Sequence, residues 1–136
     1  MIALFIILAA IANAAMDKIN FHFKKSIFPD TNWVNPEKSW VNKYKYKHPV
    51  FRFLFSTVLV FTTDFWHMCK FIWLKLILFA ILFAAVLVIH YSIIELVIMF
   101  ILLWALYSFI FEVFFAIIFD KKTTIVGYIK NIFNYK

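Results

Sequence analysis

The sequence predicts an all-α integral membrane protein with three transmembrane helices, an aromatic-basic interfacial segment, and a half-depth or interfacial helix before the second span. Three observations carry that expectation. Residues 71–119 are almost continuously apolar, interrupted by Lys75, His90, Ser92, Glu95, Ser108 and Glu112, too sparse a polar set for a surface facing water. The whole chain is 65% hydrophobic over 136 residues, with a mean hydropathy of +0.90, whereas a soluble domain of this size needs far more polar surface. Finally, the charge is one-sided: eight of the fourteen basic residues lie in residues 18–52, opposed there by Asp30 and Glu37 alone among acids.

The first span is expected over residues 1–17, ending at Asp17 and Lys18. Ala12-Asn13-Ala14 before Ala15 has the small-x-small form of a signal-peptidase site, but no Lys or Arg precedes the apolar stretch, so an uncleaved helix is expected. Its alanines offer a smooth strip for another helix.

Residues 18–52 interleave lysine with Phe21, Phe23, Phe28, Trp33, Trp40, Tyr44 and Tyr46. That is the composition of the headgroup layer, where rings half-bury and ammonium groups meet lipid phosphates. The candidate lipid-binding residues are Lys43, Lys45, Arg52, Trp33 and Trp40; a solvated aromatic loop is the competing reading. Pro29, Pro36 and Pro49 exclude long regular helix here. Asn35 followed by Pro36 reads as a cap and first position of a short helix reaching about Tyr44.

Residues 53–62 fall short of the roughly 20 residues that a span requires, which predicts a short interfacial or half-depth helix. Thr63 or Asp64 then caps a second span over residues 64–90, and a third follows over 93–119. Uninterrupted, residues 64–119 would form a helix of about 84 Å, so a turn is expected at His90-Tyr91-Ser92, with Glu95 nearby. Three spans put residues 18–52 and the tail, residues 120–136, on one side; that tail holds Lys121, Lys122, Lys130, Lys136 and a short amphipathic stretch at 125–133. The positive-inside rule makes that side cytoplasmic and the N-terminus external. Four spans would split the two basic regions across the bilayer.

Chemistry is sparsely signalled. If the last two helices form an antiparallel hairpin, Lys75 and Glu112 fall within about 3 Å of the same depth, predicting an intramembrane pair, since a lone charge in hydrocarbon is costly. Asp64 and His67, three apart, share a helix face. With Asp17, His22 and His48 at the same boundary, they form the candidate metal-ligand set, and Asp64 with His67 the candidate catalytic acid–base pair. The cofactor is unknown: neither His-Glu-x-x-His nor a close Cys/His set occurs. Cys69 is the single cysteine, so no intrachain disulfide exists. The one glycine, Gly127, leaves no nucleophile elbow or phosphate-cradling loop. The net charge of +7 lies at the expected membrane surface, which favours anionic lipid over nucleic acid as its partner.

The runs Asp17-Lys18-Ile19-Asn20-Phe21-His22-Phe23, Asn35-Pro36-Glu37-Lys38-Ser39-Trp40-Val41-Asn42-Lys43-Tyr44 and Thr63-Asp64-Phe65-Trp66-His67-Met68-Cys69-Lys70 resemble a family of small, functionally uncharacterised multi-pass membrane proteins found in bacteria and their phages. The likeness covers about the first half of the chain. It implies that the polar segment and the start of the second span form one unit, and it transfers no activity. The leading expectation is a structural membrane subunit, self-associating or partner-binding, whose cytoplasmic face contacts membrane phospholipid. The alternatives are an interfacial enzyme acting on phospholipid headgroups through Asp64 and His67, and an oligomeric channel or transporter.

Overall fold

The computed structural model describes residues 1–87 and 91–121. The expected turn at His90, the tail lysines beyond Lys121 and the amphipathic stretch at 125–133 lie outside the described residues. Within them the protein is all-helical, and three helices are long and apolar enough to cross a membrane. The helices in order are α1 (Ile2–His22), α2 (Pro36–Ser39), α3 (Pro49–Ser56), α4 (Phe65–Leu87) and α5 (Ile93–Glu112), the last continued by a π-helical turn, Val113–Ile118; α1, α4 and α5 are the three long ones.

Helix α1 runs past its expected end. Asp17 and Lys18 do not stop it, because Lys18 is neutralised within the fold and Ile19 is fully buried. Its 21 residues span about 31 Å. Ala9, Ala10, Ala12, Ala14 and Ala15 are all buried. At about 100° per residue these five point around most of the helix circumference, so a neighbour can approach from more than one side.

That property sets the architecture. Helix α1 packs along both α4 and α5, whereas α4 and α5 meet each other only sparsely. The expected direct hairpin of the second and third spans is therefore replaced by a bundle wedged on α1. Phe5 packs against Phe79 and Phe83, ring centroids 5.8 and 5.6 Å apart, which runs α1 antiparallel to α4. At the other end Lys18 meets Asp120, which runs α1 parallel to the chain of α5. Trp73 Nε1 on α4 donates to the Tyr107 hydroxyl on α5 at 3.2 Å, and the Asn13 amide of α1 lies beside the same hydroxyl. One polar cluster inside the bilayer thus joins all three helices without leaving Asn13 to the lipid.

The connections follow local rules. Asn35 Oδ1 accepts from the Glu37 amide at 2.8 Å and Pro36 opens α2, as expected. A 3-10 turn, Trp40–Tyr44, continues it. Helix α3 starts with Pro49 in its first turn, earlier than residue 53, and buries none of its residues within the fold. Ser92 and Glu95 close a reciprocal capping box on α5: the Glu95 carboxylate accepts from the Ser92 amide at 2.8 Å, and Ser92 Oγ accepts from the Glu95 amide at 3.4 Å. This Ser-x-x-Glu pattern before an apolar run is a sequence signal for a helix start, and here it does the work for which no Gly or Pro is present.

Candidate functional site

The candidate site is built where the interfacial segment meets α4. Asp64 precedes the helix and its Oδ1 accepts from the His67 amide at 2.9 Å, the bond that satisfies an otherwise orphaned N–H in the first turn. Its other oxygen, Oδ2, accepts from His67 Nδ1 at 2.6 Å. A carboxylate can only accept, so an imidazole proton belongs on Nδ1, and Nε2 accepts in the neutral ring and donates in the imidazolium. Thr63 Oγ1 lies 3.1 Å from Oδ2 and 2.7 Å from the Val60 carbonyl. Asp64 and Thr63 are buried, while the His67 side chain is about a quarter exposed, at 27%.

The interfacial segment holds this corner in place through backbone groups. The Phe65 amide, first of the helix, donates to the Trp33 carbonyl at 2.9 Å. Trp33 Nε1 donates to the Thr62 carbonyl at 3.4 Å. The Asn42 side-chain nitrogen Nδ2 donates to the backbone carbonyls of Asn32 and Thr63 at 2.8 and 3.0 Å. The 31–44 region and the start of the second span are one hydrogen-bonded unit.

His67 lines an open cavity of about 400 Å3, together with Lys43, Lys70, Ser56 and Thr57 at its polar end and Phe61, Phe71 and Leu74 at its apolar end. Asp64 does not reach the cavity wall; it stands behind the imidazole. Lys70 Nζ sits 5.0 Å from the Trp66 ring centroid and Lys43 Nζ 5.2 Å from that of Tyr44. Arg52 lies over the same Tyr44 ring at 5.4 Å, so two of the expected lipid-binding cations share one aromatic ring. Lys45 and Trp40 are exposed beside them.

The expected five-residue metal set is not assembled. Among the described residues no three His, Cys, Asp or Glu side chains are grouped to hold a metal ion. His22 lies edge-on to Phe115, ring centroids 5.4 Å apart, near the Lys18 corner. His48 precedes α3 and packs edge-on to Phe51 at 5.6 Å, and Asp17 remains half-buried on α1. Asp17 and His22 sit on α1, His48 precedes α3 and His67 is on α4, so the shared depth read from sequence does not bring the three groups of residues together laterally. Asp64 and His67 alone stay paired.

The Lys75–Glu112 pair is likewise absent from the ion pairs among the described residues. Lys75 instead places its ammonium 5.3 Å from the Phe71 ring centroid. The reason is lateral. Cys69 faces the core, and Lys75, six residues on, lies about 120° around the helix from it.

The ion pair that does join the last span to the fold is Lys18 Nζ to Asp120 Oδ2, 2.7 Å, with side chains 4% and 13% exposed. Lys18 also faces the Phe115 ring at 5.0 Å. Around it the backbone of 25–27 pairs with 119–121: the Ile27 amide donates to the Phe119 carbonyl at 3.0 Å and the Lys121 amide to the Lys25 carbonyl at 2.9 Å. No local signal in the sequence announces a pair separated by 102 positions. A second pair, Lys38 Nζ to Asp30 Oδ1 at 2.7 Å, is exposed. With the Asn35 amide on the same oxygen, Lys38 holds the Asp30 carboxyl below the usual carboxylate range.

No family model, curated protein or solved structure matches the chain. The fold therefore speaks for itself: this is a multi-pass helical membrane protein with aromatic and apolar clusters on its surface.

Proposed function

We propose that this protein is a non-catalytic integral membrane protein that binds anionic phospholipid through its aromatic-basic face, at the cytoplasmic side of a bacterial inner membrane. Membership of the small bacterial and phage family belongs to the same proposal. The observation that carries it is α3 and its surroundings. Val50, Phe51, Phe53 and Trp40 are more than half exposed, and Lys43, Lys45 and Arg52 stand among them. Apolar rings interspersed with cations gain most at the boundary of headgroup and acyl chain. Helix α5 buries no residue within the fold, which supports association with a second copy or a partner helix along that face.

The test is the lipid that travels with the protein. Native mass spectrometry from a mixed membrane should show anionic phospholipid enriched over zwitterionic, and replacing Lys45 and Arg52 by Gln should reduce the enrichment. Equal retention of both lipid classes would defeat the reading.

A second reading rests on one specific feature, the imidazole on the cavity wall with a carboxylate behind it. That geometry orients a histidine for acid–base chemistry on a headgroup ester. Phospholipid turnover by the purified protein, lost in His67→Gln, tests it; no turnover by the wild type removes it.

A further inference from the structure

We propose that Lys43, Lys70 and His67 form a discrete binding site for the phosphate group of a single membrane phospholipid, seated in the cavity between the Trp40–Tyr44 turn, the end of α3 and the first turns of α4. The proposal rests on the reading that this end of the bundle meets headgroups, and sharpens it from a charged surface to one site.

Charge is the first argument. Two lysines and a histidine line the cavity and no carboxylate does. The carboxylates nearest in sequence point elsewhere: Asp64 faces His67 Nδ1 from behind, and Glu37 lines separate cavities beside Lys24. Among the described residues neither Lys43 nor Lys70 has a carboxylate partner; both are held against aromatic rings, at 5.2 and 5.0 Å. A ring face positions an ammonium without satisfying its donors, so three N–H groups on each lysine remain for an anion. Phosphate oxygens match that need.

Shape and polarity choose the carrier of the phosphate. The cavity, about 400 Å3, falls within the range of small-molecule sites. The Ser56 and Thr57 hydroxyls donate to the Phe53 carbonyl, which leaves the lysines as the phosphate's donors, while Phe71 and Leu74 form an apolar end, Leu74 about 10 Å beyond His67 along α4, on the segment that enters the bilayer. A soluble phosphoester would leave that apolar end wet. A lipid whose phosphate meets the lysines and whose first methylenes lie on Phe71 and Leu74 fills both ends.

The Asp64 carboxylate has a positioning role here. By holding Nδ1 at 2.6 Å it fixes the ring against Trp66, centroids 4.8 Å apart, so that the other edge of His67 faces the cavity.

Delipidated protein in a nonionic detergent would be titrated with dihexanoyl phosphatidylglycerol, with dihexanoylglycerol lacking the phosphate, and with glycerol 3-phosphate lacking the chains. Isothermal titration calorimetry gives the readout. The expected result is binding of the intact lipid, with each fragment at least about tenfold weaker, and about a tenfold loss for Lys43→Gln and for Lys70→Gln. Lys24→Gln, on a different surface, should change nothing. Dihexanoylglycerol binding as tightly as the lipid, or indifference to both lysine changes, overturns the phosphate site. Glycerol 3-phosphate binding as tightly as the lipid overturns the lipid assignment. Should the Gln variants unfold, added salt decides on the wild type: affinity should fall, and a salt-indifferent affinity overturns the proposal. Anionic-lipid enrichment that responds to Lys45 and Arg52 but not to Lys43 or Lys70 would sink this site while leaving the broader lipid-binding reading in place.

Discussion

Lys18 near the end of the first span and Asp120 beyond the last form a buried ion pair at 2.7 Å, and the backbone bridge beside it ties residues 25–27 to 119–121. The pair closes the bundle at its basic end, where α1 and α5 run in the same direction. Removing one charge breaks a buried pair, the costly change at such a site.

Lys18→Met and Asp120→Asn should each destabilise the detergent-solubilised protein by about 3 kcal/mol. The double change should cost clearly less than the sum. Chemical unfolding of the four proteins measures this, and additive losses would mean that the two residues act separately.

Asp64→Ala should cost about 1 kcal/mol through loss of the α4 cap, and Asp64→Asn much less, since Asn caps nearly as well. The two should differ from wild type in a second way. Nitrogen NMR of the His67 ring should report a proton held on Nδ1 in the wild type, with that preference weakened in Asp64→Ala. An unchanged tautomer would show that the bond to Oδ2 does not order the ring.

Lys75 and Glu112 should behave independently. The structure puts Lys75 over Phe71 rather than Glu112, so neutralising both should cost the sum of the single changes within about 0.5 kcal/mol. A larger coupling energy in the double-mutant cycle would restore the direct pair.

Acid should loosen the loop before α2. The Asp30 carboxyl lies below its ordinary value because Lys38 and Asn35 bond it. A depressed value means that the contribution is fully present above the unfolded-state pKa, 3.8, and is lost as pH falls below that through the folded-state value. The hydrogen-exchange protection of the Glu37 amide, which the Asn35 side chain caps, should fall in that window and be constant above it. Asp30→Asn should abolish the dependence.

Cysteine labelling in a background without Cys69 should place Asn32 and Ser92 on opposite sides of the membrane, Asn32 with the cytoplasm. Labelling of both from one side contradicts an odd number of spans between them.

Composition and hydropathy by themselves determined the solvent, the number of long helices and their approximate limits, because each is a property of local sequence measured against the thickness of a bilayer. The caps at Asn35 and Asp64 were legible for the same reason, being bonds across two or three positions. Ser92 with Glu95 was equally local and needed only the pattern to be recognised. What the tertiary structure decided was lateral. Depth along a helix can be counted from sequence, but which face meets which neighbour cannot, and that is why Lys75 and Glu112 match in depth yet do not pair. It is also why Asp17, His22 and His48 share a boundary without joining Asp64 and His67. The alanines of α1 admit helices from several sides, and the fold used that freedom to insert the first span between the other two. Lys18 with Asp120, Trp73 with Tyr107, and the cavity shared by Lys43, His67 and Lys70 all follow from that placement and from the docking of residues 31–44 on the start of α4.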